Sequence, residues 1–160
     1  MTGLKLCATL LATGRIFGVG IDSSVSEVDQ ALRGEYIEEL GDSGVDARRD
    51  YGWIEISLTK REQWVLVGAT LELHRLSENA DLIRDVLSES GVAFEGYTPW
   101  LELKEQFLSS APDSSLQCTQ QGDYMEYRNP DVKVSVFVVN DDTERDEWPG
   151  HGDVWSIALG

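Results

Sequence analysis

Residues that carry covalent or metal chemistry are scarce in this chain: 160 residues include two histidines and two cysteines. His74 and His151 fall in different predicted elements, and neither has a cysteine or carboxylate at metal-ligand spacing, so no zinc site and no histidine-based catalyst is expected. Cys7 and Cys118 lie far apart among apolar or small neighbours (LKLCATL, SLQCTQ), which predicts two buried free thiols rather than a disulfide. Positive charge is also scarce, with 13 Lys and Arg against 29 Asp and Glu and a net charge of −16. Like-charge repulsion, felt over about 8 Å at physiological salt, excludes nucleic acid and anionic membranes as partners and makes a protein with a basic patch the natural complement. No run approaches the roughly 18 apolar residues of a membrane span. The opening MTGLKLCATLLATGRIFG places Arg15 and Phe17 where a signal peptide needs small residues, so the expected location is the cytoplasm.

Ligand-binding loops are missing as well. GVGIDSS lacks the full glycine pattern and the Lys-Ser/Thr ending of a phosphate loop, and reads as the lead into a helix. NDDTERDE holds several oxygen ligands without the order of a calcium loop. Glu38, Glu39 and Asp42 read as surface charge, with nothing nearby to raise a pKa. No nucleophile–base pair can be assembled from the sequence. No enzyme activity, cofactor or metal is expected.

What is present is a foldable chain: 41% hydrophobic, with five Trp, five Tyr and four Phe, it has the large side chains that an acidic disordered tail lacks. One domain spanning residues 1–160 is expected. Leu4, Cys7 and Leu11 before Gly14 predict a helix over 3–13 with a left-handed glycine cap. Ser24 and Glu27 have capping-box form and predict a helix over 24–33. YIEEL is a short strand, and DYGWIEISL and WVLVGATLEL alternate as a hairpin through TKREQ. The second half repeats the order. A helix capped by Ser77 ends at Gly91, a second starts at Thr98-Pro99, and strands follow at SLQCTQ, DYMEY, VKVSVFVVN and VWSIAL. Gly14-Arg-Ile-Phe17 and Gly91-Val-Ala-Phe94 share their spacing, so residues 3–75 and 77–159 read as a diverged duplication. The expected fold is α+β, with two similar helix-helix-strands units and a mainly antiparallel sheet.

Arg48 and Arg49 admit two readings. They reach across a loop to Glu38, Glu39 or Asp42, or they grip an acidic spot on a partner. Gly52 is expected to bend the chain so that Tyr51 and Trp53 are placed differently. With Ile54, Ile56 and Leu58 facing the helices, Trp53, Glu55, Trp64, Glu72 and His74 are expected on the opposite face as a partner-binding surface, unless the other half of the chain covers the tryptophans. The acidic loop around Asp141, Asp142 and Glu144 is the second candidate surface.

The stretch LLATGRIFGVGIDSSVSEVDQALRGEYIEE, then RRDYGWIEISL and LELHRL, resembles small actinobacterial proteins akin to immunity proteins of polymorphic toxin systems. The doubled element order is similar, at fold level, to the proteinaceous β-lactamase inhibitors, whose curved sheet holds a partner enzyme; their disulfide framework has no counterpart in this sequence. The resemblance implies a non-enzymatic inhibitor that covers the active site of a cognate toxin. The alternative is a structural or regulatory interaction module of a larger assembly.

Overall fold

The computed structural model of the chain describes residues 1–160. Four helices, α1 (Gly3–Thr13), α2 (Val25–Ala31), α3 (Ala80–Ser90) and α4 (Trp100–Ser110), accompany eight strands. The strands are β1 (Ile37–Leu40), β2 (Asp46–Asp50), β3 (Ile54–Lys60), β4 (Trp64–Leu71), β5 (Gln117–Gln121), β6 (Tyr124–Asn129), β7 (Val134–Val139) and β8 (Val154–Leu159). They form one antiparallel sheet in the order β1-β2-β3-β4-β8-β7-β6-β5. Each half of the chain thus supplies two helices and a four-stranded meander, and the meanders join where β4 pairs with β8.

The helix ends follow local chemistry. Thr2 accepts a hydrogen bond from the Lys5 amide, and Gly14 closes α1 at φ 67°. Ser24 and Glu27 form the reciprocal capping box of α2, which stops at Ala31, short of the expected 33. Gly91, at φ 74°, closes α3. Two expected caps are displaced. Asn79, not Ser77, caps α3 by accepting from the Leu82 amide. The residue before α4 is Pro99, without a side-chain cap, because Thr98 is buried and its carbonyl accepts from the Val154 amide.

Register assigns the two faces of the sheet. Ile54, Ile56 and Leu58 of β3 share a face with Leu66, Ala69 and Leu71 of β4, Ile157 and Leu159 of β8, and Val134 and Val136 of β7. Leu6, Cys7, Leu10 and Leu11 of α1, Val28 of α2, and Trp100, Leu103 and Phe107 of α4 close over them in one core. The Cys7 thiol is sealed inside it, its pKa pushed up to about 12 by burial. Cys118 departs from expectation: it is free but exposed, on the edge strand β5.

Trp53 belongs to this interior and does not stand on the opposite face. Gly52, at φ 88°, turns the chain before β3 begins. The indole falls between Phe17 and Phe94, with ring centroids 6.3 and 5.7 Å away, and is 3% exposed. Trp64 is corrected too. It pairs with Lys60, two residues beyond Leu58, and packs half-buried against the helix-side core.

Candidate functional site

The helices that meet the sheet lie on one side of it, leaving the other face to side chains and loops. Across that face run Glu39 of β1, Arg48 and Asp50 of β2, Glu55 and Ser57 of β3, and Thr70 of β4. Beyond them come Ala158 and Ser156 of β8, Ser135 and Phe137 of β7, and Arg128 and Glu126 of β6. Charges here are interlocked. Arg48 bonds Glu39 at 3.1 Å and lies 3.6 Å from Glu55. Arg75, on a 3-10 turn (Leu73–Arg75), donates to Asp50 at 3.0 Å, to the Gly52 carbonyl at 3.0 Å and to Glu55 at 2.8 Å. Burial alone would lower the Arg75 pKa, but the bond to Glu55 and the fields of Asp50 and Glu72 raise it.

The structure brings Glu55, Glu72 and His74 together on this face, as the sequence led us to expect. His74 Nδ1 lies 3.4 Å from both a Glu72 carboxylate oxygen and the Trp155 carbonyl. Both neighbours are acceptors, so Nδ1 carries the proton. Burial pushes the imidazole pKa down and the Glu72 carboxyl pKa up, the latter reinforced by Glu55 and Asp50 and opposed by Arg75. Both shifts work against charge, so the contact is not a strong ion pair.

The aromatic partner of His74 is Trp155, a residue the sequence reading missed. Its indole stacks on the imidazole with centroids 4.4 Å apart and planes within 3°. Trp148 and Tyr124 sit 5.7 and 5.8 Å from the same indole. Trp155 is the extra residue of a β-bulge, because Phe137 pairs with Ser156 and Val138 with Val154. Strict alternation cannot place such a side chain.

The loop from 140 to 153 borders this cluster. The nearly fully buried Asp153 holds Arg145 through bonds of 2.6 and 2.7 Å and accepts the Gly150 amide at 3.0 Å. The Arg145 guanidinium lies over the Tyr97 ring, whose hydroxyl donates to the Asp146 carbonyl. Asp141 accepts from the Thr143 amide, and the hydrogen bonds from Thr143 lower its pKa. Burial raises the Tyr124 phenol pKa, and the negative charges of Asp141 and Asp123 raise it further. Asp142 and Glu144 are exposed on the same loop and make no ion pair.

Arg49 resolves the doublet. Its neighbour Arg48 is on the open face, whereas Arg49 points to the helix side, 9% exposed, bonding Asp29 of α2 at 2.6 Å and Glu38 of β1 at 3.0 Å, with Tyr36 stacked at 4.5 Å. No group of three or more His, Cys, Asp or Glu side chains is arranged to hold a metal ion, and no helix is long and apolar enough to cross a membrane. Compared with known proteins, the chain matches no family model, no curated protein and no solved structure. A functional reading therefore rests on geometry and charge.

Proposed function

We propose that this is a non-enzymatic, cytoplasmic binding protein that lays the helix-free face of its sheet over a basic site on a partner protein, in the manner of an immunity protein covering its toxin. The observation that carries the reading is the composition of that face. Half-buried carboxylates and arginines are already fixed in one network beside the stacked His74 and Trp155, so the surface is ordered before a partner arrives. Aromatic side chains next to polar groups are the usual anchors of interfaces. The net charge of −16 favours a basic partner and fast encounter. The non-enzymatic reading draws on Cys7, whose thiol is sealed and resists ionisation, and on His74, which is committed to Trp155.

The equal element order of the halves supports the further reading that they arose by duplication. Gly14 and Gly91 both adopt the left-handed conformation, and the phenylalanines three residues on both reach Trp53. Superposing residues 3–75 on 77–159 is expected to overlay two helices and at least three strands.

Co-expression with candidate toxin domains, or capture from the producing cell, supplies the partner for a direct test. Ser57→Arg puts a bulky cation on the open face of β3 without touching the core, and is expected to weaken binding at least tenfold. Leu101→Arg, on α4 at a residue that is 76% exposed, is expected to leave binding unchanged. The reverse pattern would move the partner to the helix side and defeat the proposal.

A further inference from the structure

At one end of the open face, the 3-10 turn, the start of α3 and the tip of the 140–153 loop enclose a cleft of about 530 Å³. Ser77 holds its walls together, its hydroxyl positioned 2.8 Å from both the His74 and the Glu147 carbonyls. Three features of the cleft point to one kind of occupant. Trp148, 52% exposed, is the tryptophan most open to solvent, and it presents its indole beside His74 and Trp155. Glu78 and Glu147 are exposed on the lining and pair with no cation in the chain. The positive charge at hand is already matched: Arg75 is held by Asp50 and Glu55, and burial disfavours protonated His74. The positive end of the α3 dipole lies close by, but Asn79 caps it and Asp81 sits in its first turn, which offsets it.

An exposed indole flanked by unpaired carboxylates is complementary to a planar cation. A guanidinium can stack on the ring and direct its in-plane N–H groups at carboxylates, which a lysine ammonium, a compact and strongly hydrated charge, does less well. We propose that this cleft receives an arginine side chain of the partner, stacked on Trp148 and bonded to Glu78 and Glu147. The proposal rests on the reading of the open face as a partner-binding surface and specifies what one end of it recognises.

The test titrates the intact protein, at low salt, with acetylated and amidated tetra-arginine, with tetra-lysine and with a neutral glycine-serine tetrapeptide, followed by residue-resolved NMR. Tetra-arginine is expected to shift the Trp148 indole N–H and the amides of Glu78 and Glu147, and to bind several-fold more tightly than tetra-lysine. Trp148→Ala and the double variant Glu78→Gln, Glu147→Gln are each expected to weaken it at least fivefold. These side chains are exposed, so the amide spectrum should stay native and report that the fold is kept. Equal binding of the two cationic peptides, binding indifferent to the substitutions, no binding, or shifts confined to the sheet around Ser57 and Ser156 would each overturn the cleft. The open-face reading fails on a different measurement, the comparison of Ser57→Arg with Leu101→Arg against the protein partner.

Discussion

Two adjacent arginines end on opposite sides of one sheet, and their surroundings set different values on them. Arg49 ties α2 to β1 through Asp29 and Glu38 with its guanidinium nearly buried, whereas Arg48 keeps half its side chain in water. Charge-assisted bonds in a shielded site are worth about 1.5–3 kcal/mol each, less where a partner is open to solvent, and exposed pairs about 0.2–1 kcal/mol. Asp29 and Glu38 are both about half exposed, so Arg49→Ala is expected to lower unfolding stability by about 2 kcal/mol. Arg48→Ala should cost less than about 1 kcal/mol in the same urea titration. His74 sets a pH dependence. Its pKa is lowered on folding from the usual 6.5, so between the folded value and 6.5 the unfolded chain holds a proton that the native state has released. Stability therefore rises with pH through that window. Glu72, raised on folding from 4.5, acts in the opposite sense above 4.5. His74→Phe keeps a ring on Trp155 and removes one titration, and is expected to flatten the rise in urea midpoint between pH 5 and 7; an unchanged slope would show that His74 does not titrate differently on folding.

At the scale of elements, sequence signals sufficed wherever one local rule acts alone. The left-handed glycines after α1 and α3, the capping box of α2, and the alternation of β3 all mark elements where they form. They failed where tertiary contacts overrode them. β2, DARRD, is almost wholly charged, and it is a strand because Glu38 and Glu39 of β1 lie directly across from Arg49 and Arg48. Of the expected binding surface, Glu55 was legible from alternation, whereas Glu72 and His74 lie past the end of β4 and reach this face through the 3-10 turn. Trp53 was misplaced because Gly52 breaks the alternation two residues before the strand, and Trp155 was missed because a bulge shifts its phase. The displaced cap of α3 makes a prediction. Asn79→Ala is expected to cost about 1 kcal/mol, the usual loss for an N-cap. Ser77→Ala should leave the α3 amides protected and instead speed hydrogen exchange around Glu147 and Trp148, since Ser77 anchors that loop rather than the helix. Hydrogen exchange read residue by residue separates the two, and faster exchange throughout α3 in Ser77→Ala would restore Ser77 as the cap.

For the whole molecule, the two halves are alike in order but not independent. The β4–β8 ladder joins the two meanders, and without it each half would present a long unpaired strand edge next to its apolar residues. Trp53 of the first half has Phe17 on one side and Phe94 of the second half on the other. The first residues of the chain pair with the second connector, as the Gly3 amide donates to Ala93 and the Ala93 amide to Met1. Asn129 of β6 donates its side-chain amide to the Leu11 carbonyl at 2.8 Å, and α1 packs on α4. A unit of about 80 residues is near the lower limit for an independent core even with all its contacts, and here each would lose a helix–helix contact, a ladder and part of an aromatic cluster. Fragments 1–76 and 77–160 are therefore each expected to lack a cooperative thermal transition when expressed separately. Mixed in equal amounts, they are expected to recover the native near-ultraviolet circular dichroism, because the same contacts can form between chains. A fragment that unfolds cooperatively alone would show that its own helices and strands complete a core, and that the contacts through Trp53 and β8 are dispensable to the fold.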